Sequence, residues 1–210
     1  MRCCGPSGVE IFDERQARKD AARYRRSGID RTAWQLVNAV AGEGEDVLEI
    51  GGGVGGIELQ LLRRGFERAV NVELSPAYEP FARDLIAETG VTGRIERRIG
   101  DVVVSPELAQ PADVVVLHRV VCCYPDMPAL VGTAAGKARR AFALSYPRDS
   151  WWTQLAARAV NAWMRLRRKA FRTFIHPPDG IRAAAQAQGL TPTVDEGGLL
   201  WQVLAFERRS

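Results

Sequence analysis

The sequence lacks any long apolar run and has only four cysteines among its 210 residues. A membrane-spanning helix needs roughly 18 or more apolar residues in a row, and no segment approaches that length. Met1 to Asp20 is polar where a secretory signal would be apolar, so we expect a soluble, cytoplasmic protein. The cysteines form two adjacent pairs, Cys3-Cys4 and Cys122-Cys123, unlike the spaced framework of a small disulfide-bonded domain. Reduced thiols are therefore expected.

Acidic residues are absent from one long segment, Trp151 to His176, which carries six arginines and lysines. The formal net charge of the chain is +4, so without these six cations the remainder would be slightly acidic. A basic character confined to one segment indicates a local purpose.

Apolar segments alternate with helical patterns along most of the chain, and the length fits one domain. We predict strands at Asp46–Gly51, Ala69–Leu74, Arg94–Ile99, Asp113–Leu117, Arg140–Tyr146, Leu190–Asp195 and Leu199–Phe206. We predict helices at Glu10–Arg26, Ile29–Ala41, Ile57–Arg64, Pro76–Thr89, Pro128–Lys137 and from Pro178 to Gln188, with one long or two short helices over Trp151–Thr173. Such alternation is typical of an α/β domain with a parallel sheet covered on both faces.

A glycine-rich loop follows the first predicted strand, in the sequence VLEIGGGVGG from Val47 to Gly56. Glycines let a backbone turn sharply and approach a ligand at a helix N-terminus. Their spacing fits both dinucleotide-binding and methyltransferase loops, so the neighbouring residues must decide. Glu49 lies two residues before Gly51, where a carboxylate would attract an ammonium or sulfonium group and repel a pyrophosphate.

Two further carboxylates follow the next strands of the predicted sheet. Glu73 ends the second strand and can accept hydrogen bonds from ribose hydroxyls, while Asp101 follows the third strand and can accept one from an adenine amino group. The carboxyl ends of parallel strands share one edge, so these groups should line one crevice. The interpretation is a site for a cationic nucleoside; a dehydrogenase using NAD and an empty, degenerate loop are the alternatives.

The chain resembles the class I S-adenosylmethionine-dependent methyltransferase superfamily over roughly Asp30 to the C-terminus. The resemblance lies in VLEIGGGVGG, VNVELSP, GDVV and DVVVLHRVV, in that order. It implies a Rossmann-like seven-stranded, mostly parallel sheet with an antiparallel last strand and helices on both faces, and S-adenosyl-L-methionine as cofactor. Residues 1–28 would form an N-terminal helical segment, and residues 29–210 the methyltransferase domain with a helical cap inserted at about 150–176. The implied cofactor-binding residues are Glu49, Gly51, Gly53, Glu73, Leu74, Asp101, Val102 and His118.

A second resemblance is to the magnesium-protoporphyrin O-methyltransferases. It lies in YRRSGIDR, from Tyr24 to Arg31, and in FALSYP, from Phe142 to Pro147 at the fifth predicted strand.

The candidate catalytic residues are His118, Tyr124 and Tyr146. Methyl transfer is an in-line displacement that depends largely on alignment, so the sequence need not contain a signature base. His118 ends a buried strand over the cofactor, and its ordinary pKa suits deprotonation of a phenol or an alcohol. The tyrosines would orient the substrate or close the site. All three could equally be structural, with the histidine hydrogen-bonded at a strand end and the tyrosines in the core or a lid.

The candidate substrate-binding residues are Tyr24, Arg119, Arg158 and Trp163. Aromatic residues on one face of the inserted helix and arginines on another would suit a cap over a hydrophobic anion. The same pattern is compatible with an anionic membrane surface, a nucleic acid or a solvated face; nucleic acid is disfavoured because no wider basic footprint exists. We therefore predict O-methylation of a small, hydrophobic, possibly anionic acceptor, with a non-catalytic cofactor-binding or membrane-associated module as the rival. The oligomeric state is not predicted.

No metal site is predicted, although the cysteines leave one alternative open. Cys122 and Cys123 follow His118 closely, and Cys3 and Cys4 could fold across to bind a soft metal or metalloid. That arrangement would favour a thiol-dependent metal or metalloid methyltransferase. The simpler interpretation is that small, soft side chains fill a loop.

Overall fold

A computed structural model describes residues 9–42 and 44–209, and its centre is a seven-stranded sheet. The strands are β1 Asp46–Ile50, β2 Arg68–Glu73, β3 Ile95–Ile99, β4 Ala112–His118, β5 Ala138–Pro147, β6 Leu190–Gly197 and β7 Trp201–Arg208. They lie in the order β3-β2-β1-β4-β5-β7-β6. Only β7 runs antiparallel to its neighbours, β5 and β6, among the pairings of these strands. The predicted fold class is confirmed.

Helices cover both faces of this sheet. They are α1 Glu14–Ser27, α2 Arg31–Ala39, α3 Gly56–Arg63, α4 Glu79–Thr89, α5 Met127–Gly136, α6 Trp151–Leu166 and α7 Pro178–Gln186. One core lies between the sheet and α5 and α7, around Leu117, Leu130 and Ile181. The other lies between the sheet and α2 and α3, around Val116 and Leu61. The central strands are apolar on both sides because both sides are buried.

Several elements differ from the sequence-based expectation at their ends, three of them as follows. The stretch predicted as one helix from Pro76 divides into a 3-10 turn, Pro76–Tyr78, and α4, whose second residue is Pro80. Proline lacks an amide hydrogen and is tolerated in the first turn of a helix, so the α-helix begins just before it. The inserted helix α6 ends at Leu166, and Arg168 then adopts a positive φ of 56°. The final hairpin turns after Gly197, which is still paired with Gln202.

Helix α1 is packed more closely than its charged sequence indicates. Ala17 and Ala21 are fully buried in a third apolar cluster with Leu59, Tyr78 and Leu85. Two small residues, one turn apart, allow the helix backbone to approach the body of the protein. Helix α1 therefore contributes to the core.

Candidate active site

A cavity of about 520 Å³ lies at the carboxyl ends of the parallel strands. Its floor is formed by the loop Gly51–Gly53, by Glu73 and Leu74 after β2, and by His118 and Arg119 at the end of β4. This volume is within the range of roughly 300–1,000 Å³ that small-molecule sites occupy. The strand ends thus form the crevice that parallel α/β sheets use for ligands.

The roof of the cavity comes from two segments distant in sequence. Val9 and Phe12 precede α1, while Ala170, Phe171 and Phe174 follow α6. The rings of Phe12 and Phe171 meet edge to face, with centroids 5.8 Å apart. The Glu10 carboxylate accepts a 2.7 Å hydrogen bond from the Ala170 amide and lies 3.3 Å from the Lys169 ammonium.

The glycine loop presents bare backbone to this cavity. Gly51 and Gly53 have φ angles of 67° and 57°, which favour glycine. A Cβ atom on Gly51 would come within 2.5 Å of a Val120 methyl group. Glu73 accepts hydrogen bonds from the amides of Gly53 and Ser75 at 2.9 and 2.8 Å, so its carboxylate is held beside the loop.

Glu49 lies beneath the loop and is only 2% exposed. Its carboxylate accepts a 2.9 Å hydrogen bond from the Glu58 amide in the first turn of α3. It lines a smaller adjoining cavity of about 100 Å³, which shares Gly51, Gly52 and His118 with the larger one. Burial and the neighbouring Glu58 raise the pKa of Glu49 well above its ordinary value. A positively charged ligand in the adjoining space would favour the ionised form, so these residues fit the ammonium or sulfonium of S-adenosylmethionine.

A buried arginine, which the sequence interpretation missed, supports the loop from below. The Arg97 side chain is 3% exposed. It donates a 2.9 Å hydrogen bond to the Gly53 carbonyl oxygen and another of 2.9 Å to the Glu79 carboxylate. Its Nη1 atom lies 3.7 Å from a Glu58 oxygen. Burial raises the pKa of Glu58 to about 7 despite this arginine. The sequence signal for this role was the pair Arg97 and Arg98 inside a predicted strand. The alternation of side chains along a strand places the two on opposite faces but does not show which face is buried.

Asp101 and Val102 do not line the cavity. The Asp101 carboxylate accepts hydrogen bonds from the Tyr124 hydroxyl at 3.1 Å and from the Val103 amide at 2.9 Å. Val102 is 3% exposed and packs in the core. Tyr124 itself lines the cavity, and its hydroxyl donates to Asp101. A carboxylate can accept further hydrogen bonds, so the contact of Asp101 with adenine stays a prediction.

His118 is held between two polar partners at the end of β4. Its Nδ1 atom lies 3.0 Å from the Ser145 hydroxyl on β5, and its Nε2 atom 3.6 Å from an Asp30 oxygen. Burial lowers the pKa of His118, so the imidazole is neutral near pH 7. Burial alone would raise the pKa of Asp30, but contacts with His118, the Ala33 amide and Arg119 hold it below its usual range. Asp30 is also the N-cap of α2.

Arg119 follows His118 in an unusual conformation at the cavity wall. Its φ angle is 59°, a left-handed value uncommon for a residue with a side chain. The Arg119 amide donates to the Ser145 hydroxyl at 3.0 Å, and its guanidinium pairs with Asp30 at 2.8 Å. The same guanidinium lies 4.6 Å from the centroid of the Trp201 ring. These contacts hold the residue in its strained form.

Four other candidate residues lie away from the main cavity. Tyr146 is 1% exposed within the core on the α5 and α7 side, so the structure does not support its predicted catalytic role. Tyr24 lines the smaller cavity and accepts a hydrogen bond from Gln60. Arg158 and Trp163 are exposed on α6 and do not reach the substrate space. The inserted residues that line it instead follow the helix, from Ala170 to Phe174.

The cysteine pair lies at the rim of the cavity. Cys122 is 6% exposed, Cys123 lines the cavity, and their sulfur atoms are 3.6 Å apart. Cys3 and Cys4 lie outside the described residues. Among residues 9–42 and 44–209, no group of three or more histidines, cysteines and carboxylates could hold a metal. In the same part of the chain, no helix is long and apolar enough to cross a bilayer.

Comparison with known proteins agrees with this fold. A family model described as a methyltransferase domain matches residues 16–194. An O-methyltransferase family protein from Burkholderia thailandensis has a TM-score of 0.73 at 20% identity, over 95% of this chain and 61% of that one. A magnesium protoporphyrin IX methyltransferase from Synechocystis, solved with bound S-adenosylhomocysteine, has a TM-score of 0.64 at 16% identity, over 96% of this chain and 86% of that one.

A third similar structure is an O-methyltransferase family 2 protein from Planctomyces limnophilus in complex with apigenin, with a TM-score of 0.69 at 17% identity. The match covers 92% of this chain and 62% of that one, so this chain spans about three-fifths of the Burkholderia and Planctomyces proteins. No curated protein sequence matches the chain. Because the family model covers most of its length, the chain belongs to this methyltransferase domain family.

Proposed function

We propose that the enzyme methylates an oxygen atom of a small, hydrophobic, anionic acceptor, with His118 as the general base. The observation that carries this proposal is the position of a neutral imidazole in the wall shared with the glycine loop. A neutral histidine can take a proton from a phenol or a carboxylic acid, whereas a protonated one cannot.

The partners of His118 define the direction of proton transfer. The Ser145 hydroxyl oxygen can accept the Nδ1 hydrogen, which leaves the Nε2 lone pair as the base. Once Nε2 has taken the acceptor's proton, the Asp30 carboxylate at 3.6 Å stabilises the resulting imidazolium. Asp30 acts through His118 and is therefore a positioning residue.

The cofactor is assigned to the glycine loop and the carboxylates beside it. The backbone of Gly51–Gly53 and the side chains of Glu73 and Leu74 form the adjacent wall, and Glu49 lies below it. When bound, S-adenosylmethionine supplies a methyl group on a positively charged sulfur. The role of the chain is to place the acceptor oxygen in line with that group and to exclude water.

The character of the acceptor follows from the remaining lining of the cavity. Phe12, Phe171 and Phe174 provide aromatic surface and Arg172 provides positive charge, whereas the Arg119 guanidinium is already paired with Asp30. Arginine can pair with a carboxylate through two parallel hydrogen bonds. A hydroxylated aromatic carboxylate combines the features that this lining favours.

The proposal is tested with S-adenosylmethionine and a panel of hydroxylated aromatic acids, their neutral esters, and amine and thiol analogues, with products identified by mass spectrometry. We expect methylation of oxygen and a preference for acids over esters. His118→Gln should lower kcat about 100-fold or more while affinity for S-adenosylhomocysteine stays within about twofold. His176→Gln alters the other histidine, which does not line the cavity, and should leave kcat nearly unchanged. Methylation only of amines or thiols, or full activity of His118→Gln, would overturn the assignment.

A further inference from the structure

Helix α6 has its apolar face directed away from the protein. Trp151, Leu155, Trp163 and Leu166 are 77%, 56%, 52% and 76% exposed. They recur at intervals of three or four residues, with Ala159 completing the row, and so form one continuous stripe. A helix at the surface of a globular protein ordinarily buries such a stripe.

The opposite face of α6 holds the helix to the body of the enzyme. Thr153 is 2% exposed, and Asn161 exchanges two 2.8 Å hydrogen bonds with the backbone of Thr173. Thr173 lies between Arg172 and Phe174, which both line the active-site cavity. The exposed stripe is therefore fixed in orientation by polar contacts and connected to the cavity wall.

The charged residues of α6 itself are all positive. Arg158 and Arg165 flank the stripe along the helix, and Arg167 and Arg168 follow at its C-terminal end, whereas Lys169 is paired with Glu10. The Arg167 guanidinium lies 4.6 Å from the centroid of the Trp163 ring. No acidic residue occurs from Trp151 to His176. An apolar stripe with tryptophan, bordered by cations, matches the chemistry of an anionic lipid surface.

We propose that α6 docks the enzyme onto anionic membranes, with its apolar stripe in the headgroup region and its cations against lipid phosphates. Charge favours this occupant over a second copy of the chain, because a symmetric dimer across α6 would bring two sets of arginines together. A membrane would also bury the apolar stripe, which a nucleic acid would leave exposed to water. This docking is independent of the identity of the methyl acceptor, and it would turn one side of the cavity roof toward the bilayer.

The first test is co-sedimentation at low salt with vesicles of equal parts phosphatidylglycerol and phosphatidylcholine, compared with phosphatidylcholine alone. We expect the protein to pellet with the anionic vesicles only. Arg158→Glu/Arg165→Glu should reduce the partition coefficient at least tenfold. The control Lys137→Glu/Arg209→Glu makes the same change in charge near the N-terminal end of β5, far from α6 in sequence. It should reduce the partition coefficient less than threefold.

The second test separates a lipid surface from other partners. Leu166→Gln should weaken vesicle binding at least threefold, whereas Val104→Gln, at a site of similar exposure (74%), should not. A nucleic acid as partner would tolerate Leu166→Gln but not the charge reversal. Sedimentation analysis without lipid should show no dimer that Leu166→Gln dissociates.

Three results would overturn the proposal: wild-type protein remaining in solution with anionic vesicles, equal binding by Leu166→Gln, or a dimer that depends on Leu166. Binding of S-adenosylhomocysteine, measured in every variant, shows that the methyltransferase domain is intact and keeps this test separate from that of the catalytic assignment.

Discussion

The Asp30 carboxylate has two roles, one at the N-terminus of α2 and one beside His118. It accepts a hydrogen bond from the Ala33 amide at the start of α2 and lies 3.6 Å from His118. The first role could be predicted, because capping depends on residues adjacent in sequence. The second could not, since it requires β4 to end beside α2. Asp101 is a similar case, because its position after β3 did not reveal the hydrogen bond that its carboxylate accepts from Tyr124.

The substitution Asp30→Asn should separate these two roles. Asparagine still caps a helix, so the cap should be retained, whereas loss of the ion pair with Arg119 should lower stability modestly. Because Asp30 raises the pKa of His118 against the effect of burial, its loss should move the acidic limb of the kcat/KM profile to lower pH. Loss of imidazolium stabilisation should also lower the plateau about tenfold, which corresponds to about 1.4 kcal/mol.

The measurement is a pH–rate profile from about pH 5 to 9, with denaturant unfolding of each variant. Asp126→Asn, at the N-cap of α5, is the matched control because it alters a cap without touching His118. An unchanged acidic limb in Asp30→Asn would show that Asp30 is only a cap.

At the level of elements, the strands were predictable, whereas helix ends and solvent exposure were less so. The central strands could be assigned because a short, uninterrupted apolar run between two helical patterns is typical of a buried parallel strand. The exposed apolar stripe of α6 could not be distinguished from a buried one. Periodicity shows which residues share a face of the helix, but not whether that face contacts the protein or the solvent. The role of Arg97 likewise depends on contacts between β3 and the glycine loop.

The glycine loop allows a controlled prediction at this scale. Gly51→Ala and Gly90→Ala both place a side chain at a positive φ, with φ angles of 67° and 73°. Gly90 has no atom within 4 Å of the added Cβ, so only backbone strain of about 1–2 kcal/mol is expected there. Gly51→Ala also displaces Val120 and the cavity floor, and should weaken binding of S-adenosylhomocysteine at least tenfold.

Calorimetry and denaturant unfolding of the two variants test this expectation. If both variants lose the same stability and bind S-adenosylhomocysteine equally well, the loop accommodates the added methyl group without disturbing the cofactor site.

For the whole molecule, the buried carboxylates under the glycine loop should make stability depend on pH. Burial raises the pKa of Glu58 to about 7, from 4.5 in an exposed setting, and raises that of Glu49 in the same direction. The folded state then binds more protons than the unfolded state between these pH values. Stability should therefore fall as pH rises from about 4.5 to about 7, by roughly 3 kcal/mol at most for Glu58.

The substitution Glu58→Gln should make this dependence shallower, because the amide keeps an oxygen for Asn71 and cannot ionise, while Glu49 still contributes. The measurement is the free energy of unfolding between pH 4.5 and 8. Glu107→Gln, at an exposed site, should leave the slope unchanged. A steep decline that persists in Glu58→Gln would assign the effect to other groups.

The roof of the cavity has a consequence for turnover. Its two halves precede α1 and follow α6, and they meet through Phe12 with Phe171 and through Glu10 with Lys169. A molecule that passes through this side must first separate an aromatic contact and an ion pair, neither of which takes part in methyl transfer. The rate at which these two contacts open is then the highest rate at which spent cofactor or product can leave by this route, however fast the chemical step is.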